Sequence, residues 1–235
     1  MAVISNSSVT LSRISHMTLL LLFAACIQSC GIGGYHVRDV AKTDTSLVIE
    51  THYQQTREIL KELTGKFYKR NPSQLPTSKT VDERVASLFG VHDGVGFSEC
   101  GPGVEIELME ASLKESFRGD RVFCLMAGLV GMINHSFAYK DSFYVTDTLD
   151  QQKIYHSARN LERLSWRLRQ ASANSNQPLL LSNSVEPGHI NMSFERLFGK
   201  VIALQDILAL IVADQNKRAI NYVVRRIGSF FFLPL

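Results

Sequence analysis

NMSFERLFGKVIALQDILALIVADQNKRAINYVVRRIGSF, running from Asn191 to Phe230, is the stretch that decides the fold. Apolar residues recur along it at Phe194, Phe198, Val201, Leu208, Val212, Ala219, Val223 and Ile227. Only the polar Gln205 interrupts that three-four spacing, which is the signature of one helical face. Asn191 or Ser193 is placed to cap the start. A helix of this length would run roughly 50 Å. Its middle, Val201 to Ala213, is apolar nearly all round, with Ile207 and Leu210 on the side that should face water. A helix apolar on every side is normally wrapped by others. The sequence therefore predicts an all-α single domain built around a long C-terminal helix.

The neighbouring segments agree with an all-α class. Asp44 or Thr45 can cap a helix to about Lys69, with Leu47, Tyr53, Ile59, Leu60, Leu63 and Phe67 inward. Thr80-Val81-Asp82-Glu83 matches a capping box and starts a short helix to Phe89. Gly90, Gly94, Gly96, Gly101 and Gly103 make 90–103 a loop. Helices are predicted at Val104–Ser116, at Arg121–Phe137 after an Asp120 cap, and from Asp147 or Asp150 to Gln170. In the second of these, Ala127, Gly128 and Gly131 would let a neighbouring backbone approach closely. Leu179–Ile190 reads as an ordered loop with one short strand. The apolar ending Phe230–Leu235 should dock on the domain.

The chain has 235 residues, 45% hydrophobic and 20% charged, enough for one domain with a real core. A formal charge of +3 gives no argument for a nucleic-acid partner. The N-terminus is more informative. Arg13 and His16 precede the apolar run Met17-Thr-Leu-Leu-Leu-Leu-Phe-Ala-Ala-Cys26, the layout of a signal peptide. The run is too short to span a membrane as a helix, which takes about 20 residues.

Phe23-Ala24-Ala25-Cys26 resembles the lipobox of bacterial lipoproteins, in which the Cys is acylated and becomes the new N-terminus. Ile27-Gln28-Ser29-Cys30 is a second candidate. The lipobox pattern favours Cys26. Parity favours Cys30, because it leaves Cys100 and Cys124 as an even pair. The expected organisation is a signal peptide over 1–25 (or 1–29), a tether over 26–42 and a helical domain over 43–235. The residue after the lipidated Cys, Ile27 or Gly31, is not the Asp associated with inner-membrane retention. The resemblance thus implies several acyl chains, palmitate-type, and an outer-membrane protein facing the periplasm. Gly34-Tyr35-His36-Val37-Arg38-Asp39, Phe117-Arg118-Gly119-Asp120-Arg121-Val122-Phe123, Ser157-Ala158-Arg159-Asn160 and Ser193-Phe194-Glu195-Arg196-Leu197-Phe198-Gly199-Lys200 resemble a group of uncharacterised proteobacterial predicted lipoproteins. That resemblance carries no activity.

Catalytic signatures are near misses. The sequence has no HExxH, no Walker loop and no zinc-type Cys/His spacing, so no metal or cofactor is expected. Gly96-Phe97-Ser98-Glu99-Cys100 approaches a nucleophile elbow but ends in Cys and is followed by Gly101-Pro102-Gly103 rather than a helix. An envelope hydrolase using Ser98, Glu99, His92 and Asp93 is the alternative function. For Cys100 and Cys124, a simple hairpin about Gly119 argues against a disulfide, and a loop folded back would permit one. Gln205 and Asp206 sit in the most apolar part of the C-terminal helix and must be paired if buried. A structural ion pair with Arg118, Arg121 or Arg159 is favoured over a polar site. Arg159, Arg163 and Arg167, flanked by Trp166, are expected on one outward face that could meet sugar or anionic head groups. The leading expectation is a non-enzymatic envelope binding or scaffold protein. It would hold its helical domain at the membrane through the lipid, with another envelope protein as partner.

Overall fold

The computed structural model describes residues 42–90, 97–170, 176–186, 189–220 and 232–235. Cys26, Cys30, His92 and Asp93 lie outside the described residues, as do the signal-like run and most of the tether. The fold is all-α. Its helices are α1 (Asp44–Arg70), α2 (Val81–Phe89), α3 (Ile106–Ser112), α4 (Arg121–Ser136), α5 (Gln151–Arg167) and α6 (Ser193–Asn216). A small antiparallel hairpin, β1 (Ser184–Glu186) with β2 (His189–Asn191), pairs Val185 with Ile190. Two strands stand where the sequence suggested one. No described helix is long and apolar enough to cross a membrane.

Local chemistry sets the helix starts. Thr43 caps α1 by accepting from the Ser46 amide at 3.1 Å. Thr80 and Glu83 form the reciprocal capping box of α2. Asp120 caps α4 through the Phe123 amide, and Asp150 caps α5 through that of Gln152. The start of α6 is different. Asn183, from the segment before β1, accepts from the Phe194 and Glu195 amides at 3.2 and 3.3 Å. Its side chain reaches them from ten residues upstream, where no sequence rule for capping would look, while Asn191, a candidate from the sequence, accepts from the Ser193 amide at 3.0 Å.

The most deeply buried helix of the domain is α4, more so than the long C-terminal helix α6. Every residue of α4 is buried except Gly131 and His135. α6 instead exposes Ile207 and Leu210 to solvent, at 51% and 55%. It also stops early. Lys217 adopts a left-handed conformation at φ 52°, and its amide and that of Arg218 close back on the Ala213 carbonyl. A helix of 24 residues spans about 36 Å, not 50. Periodicity could not see this stop, because Asn216-Lys217-Arg218 breaks no apolar pattern. The tail from Phe232 does dock: Asn160 donates to the Leu233 carbonyl at 2.9 Å and accepts from its amide at 2.7 Å.

Glycine lets α3 lie directly on α4. A Cβ added at Gly128 would come within 2.4 Å of the Glu105 carbonyl oxygen and 2.6 Å of the Met109 amide nitrogen. Both are backbone atoms and cannot turn aside. Gly128→Ala is expected to cost roughly 3 kcal/mol in urea unfolding. Gly65→Ala on α1, where no atom lies within 4 Å, should instead raise stability by about 0.8 kcal/mol.

Candidate functional site

Three polar clusters carry the chemistry-bearing side chains. The first joins α5 to α6. Arg159 is 3% exposed, so it does not belong to an outward basic face. Its Nη2 donates to both oxygens of Asp206 at 2.7 and 2.6 Å, and its Nη1 lies 3.3 Å from Glu162. The guanidinium also sits 5.0 Å above the Tyr155 ring. This is the ion pair expected for Asp206, although the carboxylate is partly exposed rather than buried. Gln205 is fully buried and accepts from the Ser157 hydroxyl at 3.2 Å. The i, i+4 spacing of Arg159, Arg163 and Arg167 drifts about 40° per step around a helix. That drift carries Arg159 under the edge of α6. Arg163 and Trp166 are half-buried, and Arg167 lies 5.2 Å above the Phe232 ring of the docked tail. Burial lowers the pKa of both Arg163 and Arg167.

The second cluster holds the end of the glycine-rich loop. Cys100 and Cys124 form a disulfide, with Cα atoms 5.3 Å apart. The hairpin argument against it fails for a geometric reason. Glu105 lies beside Gly131 and His135, near the far end of α4. Residues 101–104, with Gly101 and Gly103 at positive φ, lead between there and Cys100, which bonds Cys124 in the first turn of α4. The loop therefore doubles back along α4. Glu99 accepts from both Nη atoms of Arg84 at 2.7 and 2.8 Å. Arg84 lies 4.2 Å above the Phe123 ring, with its Nε 3.2 Å from Asp120. Tyr68 donates to Asp120 at 2.7 Å. Glu99 is thus spent on Arg84, and Ser98 is exposed in a 3-10 turn with no helix behind it. A nucleophile elbow is not formed.

Burial raises the pKa of Asp120, against the Phe123 amide, the Tyr68 hydroxyl and the Arg84 charge. Arg84 gives its two-pronged end to Glu99 and only Nε to Asp120, so its charge does not prevail. Burial, and then the bond to Asp120, pushes the Tyr68 hydroxyl up as well. The native state therefore holds the Asp120 proton above the ordinary value of 3.8, whereas the unfolded chain releases it there. The stability this group adds is full at low pH and is lost as pH rises through the native pKa. The stability of wild type minus that of Asp120→Asn should fall as pH climbs from 3.8. A difference that grows with pH in chemical denaturation would show the Arg84 charge dominating instead.

The third cluster escaped the sequence. Glu105 is held at φ 51°, ψ −116°, and Ala138 and Tyr139 are also left-handed. Such positions cost of order 1–3 kcal/mol each and need something to hold them. Here the holder is Glu105 itself, which accepts from the Tyr139 hydroxyl and pairs with His135 Nδ1 at 2.8 Å. Lys153 lies 2.7 Å from His135 Nε2. An ammonium only donates, so Nε2 accepts and Nδ1 carries the proton toward Glu105. The His135 ring stacks on Tyr139 with centroids 5.3 Å apart. Both Glu105 oxygens and both His135 nitrogens are engaged inside the cluster. The only sequence hint was His135 and Tyr139 at i, i+4; Glu105 lies 30 positions upstream of His135.

Among the described residues no three His, Cys, Asp or Glu side chains are grouped to hold a metal ion. Compared with family models, curated proteins and solved structures, the chain matches none.

Proposed function

We propose that this protein is an exported, lipid-anchored binding or scaffold protein of the bacterial envelope, without enzymatic activity, at the periplasmic face of the outer membrane. The observation that carries this is the Cys100–Cys124 disulfide, buried against α4. Disulfides persist in oxidising compartments and are rare in the cytosol. The bond supports export independently of the signal-like N-terminus and of the lipobox resemblance at Cys26 and Cys30. A binding role fits the state of the three polar clusters. Each pairs its charges internally: Arg159 with Asp206, Arg84 with Glu99 and Asp120, and Glu105 with His135 and Tyr139. In the acid–base-like third cluster the carboxylate and imidazole point at each other rather than at a substrate.

The surface left for an envelope partner on α5 is Arg163, Trp166 and Arg167, without Arg159. Alanine at Arg163 and Arg167 should abolish recovery of an envelope partner in pull-downs while the thermal unfolding temperature falls only slightly, through the lost contact with the Phe232 ring. Unchanged recovery would remove this surface from the proposal. Arg159→Ala is unsuitable for that test, because it removes the α5–α6 ion pair.

The compartment is tested by the mass of the mature N-terminus from membrane fractions, in wild type, Cys26→Ser and Cys30→Ser. A diacylglyceryl-type addition lost in only one of the two variants is expected. An unmodified N-terminus in the soluble fraction would overturn the lipid anchor. Independently, Cys124→Ser should cost about 3.5 kcal/mol by the loop-closure relation, for a bridge spanning 24 positions.

A further inference from the structure

Among the described residues the outer face of α6 has no counterpart. At 100° per residue, Lys200, Ala203, Leu204, Ile207, Leu210, Ile211 and Asp214 fall on one stripe. Lys200, Ala203, Ile207, Leu210 and Asp214 are exposed, and Leu204 and Ile211 are half-buried. A surface helix normally turns polar residues outward. Arg196 continues the same line in the first turn of α6, and from Lys200 to Asp214 the stripe is aliphatic with charges only at its two ends. Those charges are opposite in sign and equidistant from Ile207, seven residues away on either side.

We propose that this stripe is the seam of a homodimer, in which α6 of one copy lies antiparallel against α6 of a second across a two-fold axis at Ile207. A two-fold axis at that residue brings each position before Ile207 opposite the one equally far behind it. Ile207 then meets Ile207. Ala203 and Leu204 meet Ile211 and Leu210. Lys200 of each copy meets Asp214 of the other. The same operation that buries the aliphatic centre therefore pairs both end charges, over a seam of about 21 Å. A parallel pairing would set Lys200 against Lys200 and Asp214 against Asp214. The charge pattern thus selects the antiparallel arrangement. The flank of the stripe does not oppose it. Asp206, beside Ile207, is already neutralised by Arg159 at 2.6 Å.

The test is cysteine cross-linking of the full-length chain in its own membranes under a mild oxidant, read on non-reducing gels against the parent chain. Ile207→Cys should give a dimer-sized band several-fold above the parent. Lys200→Cys alone and Asp214→Cys alone should not, whereas the double variant should. In the Ile207→Cys background, Lys200→Glu should lower the yield several-fold, and adding Asp214→Lys should restore it. These side chains are exposed, and unchanged thermal unfolding confirms that each variant folds. An Ile207→Cys chain that stays monomeric, or links only to a different protein, overturns the proposal. So does a yield that ignores the charge reversal, or Lys200→Cys alone linking as well as Ile207→Cys.

Discussion

Everything in this domain follows from burying α4 almost completely. A helix inside the protein cannot leave the polar groups at its start to water. Asp120 meets this need by accepting from the Phe123 amide. Gln74 accepts from the next free amide, that of Arg121, at 3.0 Å. The Arg121 side chain turns back to the Ser112, Lys114 and Phe117 carbonyls. One residue at the start of α4 thereby closes the open end of α3. The glycines of α4 then set how near α3 comes. That closeness forces Glu105 into its strained backbone conformation beside Gly128 and Gly131.

Buried arginines fasten the remaining layers to this centre. Arg57 on α1 donates to the Phe89 carbonyl at the end of α2 and to the Tyr53 hydroxyl. Tyr53 in turn donates to Asn134 on α4. Arg84 binds the loop at Glu99 and the cap at Asp120, and Arg159 ties α5 to α6. A guanidinium has five donors in a rigid fork, so one side chain can satisfy acceptors from two or three elements. Removing Arg57 would strand the Phe89 carbonyl and the Tyr53 hydroxyl in a dry interior, which costs more than the bond itself contributes. Of these arginines, Arg159 looks like part of a binding surface in the sequence and acts as an internal tie in the structure.

The polar clusters were legible in unequal measure. Asp206 announced itself because a carboxylate between Gln205 and Ile207 has to find a cation, and Arg159 was among the candidates. The same arginine was also placed on an outward face, since spacing along one helix says nothing about which neighbour covers its edge. The Cys100–Cys124 bond was undecided because it depends on the path of the loop, not on either cysteine. Glu105, His135, Tyr139 and Lys153 come from three separate segments. Nothing in any one segment marks them, and the strain at Glu105 exists only once α3 has landed on α4.

The sequence by itself determined the all-α class, the capping of α2, α4 and α5, and the docking of the C-terminal tail, while the cap of α1 fell on Thr43 rather than on Asp44 or Thr45. Each depends on residues close together in the chain, where hydrogen bonding and apolar spacing act directly. The tertiary structure alone decided that α4 is buried more deeply than α6, that α6 ends at Asn216, and that Asn183 reaches its first turn. It also decided that Cys100 meets Cys124, and that Ile207 and Leu210 remain in solvent. A helix with apolar residues on every side can be wrapped by its own domain or can keep one face for another surface. Periodicity is the same in both cases. Only the positions of the other helices distinguish them, because burial belongs to the packed molecule and not to the segment.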